Sequence, residues 1–166
     1  SNEPENFLVY LKSLELSANA IASLSTKPMT ERRFLLQYPL CAEAIGRPGL
    51  AAGFTDLIMK DPVTDETWQT WLTQWEAAFT SAGKIGGVSA RLHPCRINYY
   101  RTAADALRSD TPAAALWPLL RTWTLALNTL SEESDHMQDW QAALQSLGLG
   151  LETFPESIRS LDAYLD

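Results

Sequence analysis

The sequence predicts an all-α protein, a bundle of about eight helices, on the evidence of its apolar pattern. Apolar residues recur at steps of three and four along most of the chain, which is the spacing of one face of a helix. No segment alternates apolar and polar residues for long enough to predict a strand. The chain also lacks an internal repeat of fixed length, so a helical solenoid is disfavoured.

Three helices are predicted in the first sixty residues, each delimited by a capping residue, a glycine or a proline. The first covers residues 7–24, and its apolar face is predicted to be Phe7, Tyr10, Leu11, Leu14, Ala18, Ile21 and Ala22. Thr30 is the expected N-cap of the second helix, which Pro39 should kink or divide and Gly46 should end. Pro48 is expected in the first turn of the short third helix.

The fourth helix, Asp65 to Ala82, has the clearest amphipathic pattern in the chain. Thr64 or Asp65 should cap it, and Gly83 should end it. It carries a tryptophan stripe, which consists of Trp68, Trp71 and Trp75. Such a stripe is more often core than a ligand cage, but if exposed it would indicate a partner surface, so the pattern leaves core and interface open.

Four further helices are predicted after residue 93. Their expected caps or first residues are Pro94, Thr111, Ser134 or Asp135, and Pro155. Pro118 should bend the sixth helix locally, and Gly148 should end the seventh. The centres of the apolar stripes predict that Trp71, Trp75, Leu120, Trp123 and Leu144 are buried.

The chain has 166 residues, of which 46% are hydrophobic, and this is enough to bury a core as a single domain. We expect one domain over residues 1–166, with two helical halves, about 5–82 and 94–166, joined by a glycine-containing loop at 83–93. The predicted domain has no run of 18 apolar residues that would suggest a membrane-spanning helix.

The composition excludes several classes of partner and site. The 13 basic and 20 acidic residues leave a net charge of −7, which suits neither nucleic acid nor an anionic membrane. Cys41 and Cys95 are too few for a disulfide scaffold or a zinc site built on cysteine pairs. We therefore expect a cytoplasmic protein that binds neither nucleic acid nor membrane.

The basic residues are concentrated between residues 91 and 130, where five arginines and two aspartates leave a charge of +3. The candidate anion-binding or substrate-binding residues at this loop-to-helix junction are Arg91, Arg96, Tyr100 and Arg101. A helix N-terminus offers free amide donors, and guanidinium forks match phosphate and carboxylate oxygens. Alternatively, these arginines cover the helix surface or pair with acids in residues 131–166.

No catalytic residue, metal ligand or cofactor site is predicted. Glu132, Glu133, Asp135 and His136 crowd the start of one helix, where acids are favoured by the helix dipole. Cys95 and His93 flank a proline and need not face each other, and a third orienting group is not identifiable. The glycine-rich segment 83–87 follows a helix and therefore lacks the context of a phosphate-binding loop.

Four segments together resemble the helical bundle appended to some small bacterial nucleotidyltransferases. They are residues 94–108 (PCRINYYRTAADALR), 112–123 (PAAALWPLLRTW), 140–148 (WQAALQSLG) and 161–166 (LDAYLD). The resemblance implies that Arg96, Tyr100 and Arg101 lie on a surface that contacts nucleotide or acceptor substrate, and that the helices can mediate dimerisation. The family's catalytic signature, a Gly-Ser turn followed by Asp-x-Asp, is absent, so the chain is not expected to transfer a nucleotide alone.

Two functions are therefore predicted. The first is a non-catalytic accessory domain of a nucleotidyltransferase-like bacterial protein, which contacts a catalytic partner, a nucleotide or another phosphate-bearing small molecule. The alternative is a protein-interaction or homodimerisation module without a small-molecule site.

Overall fold

The computed structural model describes residues 3–24, 29–30, 33–85, 88–130, 134–150 and 152–165. In these ranges the protein has eight α-helices and no strand, which confirms the predicted all-α bundle. The helices are α1 (Glu3–Ala22), α2 (Phe34–Ala44), α3 (Gly49–Asp56), α4 (Asp65–Gly83), α5 (Ile97–Leu107), α6 (Pro112–Thr129), α7 (His136–Ser146) and α8 (Phe154–Leu165). Two 3₁₀ turns, Ala90–Leu92 and Pro94–Arg96, connect α4 to α5. No helix within the described ranges is both long and apolar enough to cross a membrane.

Helix α6 lies at the centre of the bundle. It packs against α1, α4, α5 and α7, and most of its side chains are buried. One hydrophobic core joins residues of both predicted halves, among them Leu14 of α1, Phe79 of α4 and Leu127 of α6. The five residues predicted to be buried, Trp71, Trp75, Leu120, Trp123 and Leu144, are each at most 5% exposed, which confirms that prediction.

The tryptophan stripe of α4 belongs to the core. Trp68, Trp71 and Trp75 are 2%, 5% and 0% exposed, respectively. The apolar pattern did not distinguish a core position from an interface position for these residues. The packing of α4 against α6 and α7 shows that they are core residues. The stripe therefore does not supply a surface for a partner.

Two buried indole–threonine hydrogen bonds, which the apolar pattern of the sequence does not predict, attach α6 to its neighbours. Trp75 Nε1 of α4 donates to Thr122 Oγ1 at 2.9 Å, and Trp140 Nε1 of α7 donates to Thr124 Oγ1 at 3.0 Å. Each threonine hydroxyl in turn donates to a carbonyl of α6, at 2.7 Å in both cases. Each hydroxyl thus acts as acceptor and donor at once, so a polar group is buried without losing its hydrogen bonds.

Several predicted helix ends are correct. Thr64 caps α4, where its Oγ1 accepts from Thr67 N at 3.2 Å. Gly46 and Gly148 follow α2 and α7 with φ angles of +74° and +71°. This left-handed conformation is the usual end of a helix and favours glycine.

Two predicted helix starts are wrong, and a third is correct in position but lacks the side-chain hydrogen bond of a cap. Thr30 does not cap α2, because a turn from Arg33 N to Thr30 O precedes the helix, and the regular helical hydrogen bonds begin at the Arg33 carbonyl. Thr111 is the N-cap residue of α6, as predicted, but it makes no capping hydrogen bond, because its Oγ1 donates back to Leu107 O at 3.2 Å. Pro94 opens a 3₁₀ turn, and α5 begins only at Ile97.

The two internal prolines are accommodated within continuous helices. Helix α2 runs through Pro39 and is not divided by it, and α6 runs through Pro118. A proline removes one helical N–H. In α6 the Pro118 carbonyl also accepts a side-chain hydrogen bond from Thr122 Oγ1 at 2.7 Å.

Candidate anion-binding cleft

A small cleft lies where the arginine-rich segment before α5 packs against α1 and α6. Its volume is about 130 Å³, and three guanidinium side chains line it, those of Arg91, Arg96 and Arg121. The rings of Tyr100 and Trp117 form part of its wall. We refer to it as the arginine cleft.

The two 3₁₀ turns position Arg91 and Arg96. Ser89 Oγ accepts from Arg91 N at 3.3 Å and caps the first turn. His93 Nδ1 accepts from Cys95 N at 3.3 Å and caps the second. The intervening Leu92 is fully buried in the core, so the segment is anchored between its two arginines.

Arg121 enters the cleft from α6 and is held by a carboxylate from α1. Its Nη1 donates to Glu15 Oε2 at 2.6 Å, and Lys12 Nζ approaches the same oxygen at 3.2 Å. The Arg121 guanidinium also lies 5.9 Å from the centre of the Trp117 ring, within the range of a cation–π contact. These contacts, with 15% exposure of its side chain, fix the Arg121 guanidinium in one place.

The Glu15 carboxylate shows the effect of this pairing. Burial alone would raise the pKa of Glu15, but the hydrogen bonds and charges of Arg121 and Lys12 outweigh it and lower the pKa below the ordinary value. Glu15 is therefore a buried anion that orients Arg121.

Tyr100 joins the cleft to the core. Its side chain is 8% exposed, and its ring lies 6.4 Å from that of Trp75 and 6.1 Å from that of Phe79, edge to face in both cases. These α4 contacts hold α5, and with it the preceding turn, against the bundle.

The structure brings together three of the four predicted site residues, namely Arg91, Arg96 and Tyr100. Arg101 is not among the described residues that line the cleft, and its Nη1 pairs with Glu76 Oε2 of α4 at 2.5 Å. Five helical positions rotate a side chain by about 500°, which leaves Arg96 and Arg101 about 140° apart. They therefore face different neighbours.

Arg121 is a charged lining residue of the cleft that was not among the predicted site residues. It is the one charged residue within the apolar stretch from Ala113 to Leu127. A charge on a buried helix needs a partner, so this isolated position could have indicated a residue with an ion pair or a ligand. The alternative prediction was that the arginines pair with acidic residues after residue 130. The ion pairs of Arg101, Arg108 and Arg121 are instead with Glu76, Asp65 and Glu15, respectively.

His93 and Cys95 face each other in the structure, a contact that their positions in the sequence did not require. His93 Nδ1 lies 2.9 Å from Cys95 Sγ, and both side chains are exposed. The second 3₁₀ turn brings them together, because the two residues flank its first position. Neither lines the arginine cleft as the structure describes it.

The predicted acidic cap of α7 lies partly outside the described residues, which omit Glu132 and Glu133. His136 Nε2 is 3.0 Å from Ser81 Oγ of α4, which makes it a contact between helices. Among the described residues no group of three or more histidine, cysteine, aspartate or glutamate side chains could hold a metal ion.

The arginine cleft has the chemistry of an oxyanion site. Its described lining contains no carboxylate and three guanidinium groups, of which that of Arg121 is paired with Glu15, and arginine stays protonated at any physiological pH. Pockets for drug-sized ligands typically measure about 300–1,000 Å³. A cleft of about 130 Å³ therefore suits one phosphate or carboxylate group and not a whole nucleotide.

The chain matches no known protein-family model, and no curated protein or solved structure is significantly similar to it. The geometry and charge of the arginine cleft are therefore the basis for inferring a function.

Proposed function

We propose that this protein is a non-catalytic helical domain that binds a phosphate or carboxylate group in the arginine cleft. The observation that carries the proposal is the convergence of Arg91 and Arg96, from the turns before α5, with Arg121 of α6 on one cleft. Guanidinium forks bind such oxyanions through paired, charge-assisted hydrogen bonds. The Glu15 contact and the Trp117 ring support the idea of a site built in advance of the ligand, because they fix Arg121.

The size of the cleft favours a ligand that inserts one charged group and leaves the rest of its body outside. A nucleotide phosphate is such a group, and it is the ligand that the resemblance to nucleotidyltransferase accessory bundles favours. On this proposal a catalytic partner supplies the chemistry, and the domain works in the reducing cytoplasm, where the free thiols of Cys41 and Cys95 are stable.

The decisive experiment is a melting-temperature series with inorganic phosphate, pyrophosphate and ATP against sodium chloride of equal ionic strength. At a hundredfold excess of free ligand over Kd, binding should stabilise the fold by about 2.7 kcal/mol. For a chain of this size that corresponds to a rise of about 5–11 °C in Tm. No rise with any of the three anions would contradict the binding of a phosphate group in the cleft.

The chain supplies its own matched control. Arg96→Gln should abolish the shift, because Arg96 lines the cleft, whereas Arg101→Gln should preserve it, because Arg101 pairs with Glu76 outside it. Both are partly exposed, and neither substitution should lower the Tm of the free protein by more than a few degrees. Equal responses of the two variants to phosphate would show non-specific anion binding and overturn the proposal.

The alternative prediction, an interaction module without a small-molecule site, has no comparable support. The feature that would have favoured it was an exposed tryptophan stripe, and that stripe is buried. A stable dimer in a light-scattering measurement, together with no anion-dependent shift, would favour the interaction module over the binding domain.

A further inference from the structure

A second and larger cavity lies between the first turns of α1, helix α7 and the connection from α7 to α8. Its volume is about 290 Å³, close to the lower end of the range of small-molecule sites. We call it the aromatic cavity, since the rings of Phe7, Trp140 and Phe154 line it. It shares no described lining residue with the arginine cleft.

The aromatic walls are held in fixed positions. The rings of Phe7 and Trp140 meet edge to face at 5.8 Å, and Trp140 is anchored by its hydrogen bond to Thr124. The Phe154 ring meets that of Tyr10, also edge to face, at 5.5 Å. Fixed rings need little ordering when a ligand binds, which favours affinity.

The described residues between α7 and α8 that border the cavity are tied down as well. Thr153 Oγ1 is 2.9 Å from the carbonyl oxygens of both Gly148 and Gly150. A Cβ atom at Gly150 would lie 3.3 Å from the Cα atom of Gln145, so glycine lets this residue approach α7 without a shift of the helix. These contacts hold the walls of the cavity in place without a ligand.

The charge of the aromatic cavity is negative. Glu3 and Glu152 are among its lining residues, and the described lining contains no lysine, arginine or histidine. Gln141 Nε2 donates to Glu3 Oε2 at 2.6 Å and so orients this carboxylate from α7. Carboxylates beside aromatic rings attract a cation in two ways, through their charge and through the negative faces of the rings.

We infer that the aromatic cavity binds an organic ammonium ion, an amine or quaternary ammonium that carries an apolar body. The apolar part would contact Leu144 and Leu149 as well as the rings, and the ammonium would lie toward Glu3 and Glu152. An oxyanion is disfavoured by the two carboxylates. A purely apolar ligand would leave both carboxylates without a counter-charge from the ligand.

Three benzyl compounds that differ in charge test this inference by isothermal titration calorimetry on the whole chain. Benzyltrimethylammonium should bind about tenfold or more tightly than benzyl alcohol, because only the cation gains the carboxylate and cation–π contacts. Benzoate should bind least. Failure of the cation to bind, or equal affinity for all three compounds, would overturn the inference.

Charge-removing variants locate the binding. The double variant Glu3→Gln and Glu152→Gln should weaken benzyltrimethylammonium binding by about tenfold or more. Glu156→Gln is the matched control, since Glu156 is an exposed acid at the start of α8 that is not in the described lining. If the double variant folds poorly by circular dichroism, Glu152→Gln alone gives the same test, because Glu152 is exposed. An unchanged affinity in a folded variant would contradict the inference.

Discussion

Thr124→Val is expected to destabilise the protein because it removes the hydroxyl that accepts a hydrogen bond from the Trp140 indole. Thr124 is fully buried, and its Oγ1 accepts the hydrogen bond of the Trp140 indole, which is 1% exposed. Valine has the same branched shape and a comparable helix propensity, so the change removes the hydroxyl and little else. The indole N–H would then be buried without a partner, at a cost of about 1–3 kcal/mol.

Urea denaturation followed by circular dichroism measures this loss as a difference in unfolding free energy. The corresponding fall in Tm is about 2–12 °C, since a chain of this length loses roughly 2–4 °C per kcal/mol. A double-mutant cycle with Trp140→Phe isolates the pair. Once the donor is gone, the loss of the hydroxyl should cost about 1 kcal/mol less.

Thr73→Val is the matched control for this experiment. Thr73 makes the same type of hydrogen bond to the carbonyl four residues earlier, Gln69 O at 3.0 Å, but on an exposed face of α4. Its replacement should change stability by less than about 0.5 kcal/mol. Equal losses for Thr124→Val and Thr73→Val would refute the role of the indole–threonine bond and show that only the helical back-bond matters.

Three further outcomes are expected. Trp123→Ala should cost about 3–5 kcal/mol, because the ring is 1% exposed; a loss under about 1 kcal/mol in urea denaturation would show that the ring is not packed. Burial raises the pKa of Tyr10 to about 12, so the neutral Tyr10 side chain should contribute fully to stability below pH 10, and this contribution should be lost as pH rises from 10 to 12. Tyr10→Phe should reduce this alkaline loss of unfolding free energy, measured by urea denaturation at a series of pH values. An identical pH profile for the variant and the wild type would contradict the role of Tyr10. A thiol-specific chromogenic disulfide should count one reactive thiol per chain in the folded protein and two after unfolding, because Cys95 is exposed and Cys41 is buried.

The sequence was sufficient for the class of fold because helical periodicity depends only on near neighbours in the chain. The bounds of α4 differ from their prediction by one residue, since Thr64 and Gly83 lie at the ends of a strong apolar pattern. The prediction for Thr30 was wrong, since Arg33 is the N-cap residue of α2, and Thr111 is at the predicted N-cap position of α6 but its hydroxyl bonds Leu107 O instead of capping the helix. A threonine hydroxyl can bond several nearby backbone groups. Which of these groups it bonds depends on how the adjacent segments pack, and the local sequence does not indicate that packing.

The candidate site was only partly predictable. Arg91, Arg96 and Tyr100 were identified because they are close in sequence and rich in charge. Arg121 was missed because it reaches the cleft only when α6 packs against both α5 and α1. Arg101 was included because it lies near Arg96 in sequence, although helical rotation directs it to Glu76.

The aromatic cavity had no signal in the sequence. Its residues come from the start of α1 and from α7 onward, more than 100 positions apart in the chain. The apolar period of a sequence indicates which residues share a helical face. It does not indicate where two packed helices leave a gap between them. Cavities of this kind become visible only once the packing is known.

The central position of α6 has a consequence for synthesis of the protein on the ribosome. Helix α1 packs against α6, yet about 90 residues separate the end of α1 at Ala22 from the start of α6 at Pro112. At about 5–20 residues per second, α1 waits roughly 5–20 s for this neighbour. During that interval the face of α1 that packs against α6 in the folded state lacks this partner. A nascent chain halted before residue 112 should therefore expose an apolar stripe that chaperones recognise, and the completed chain should not.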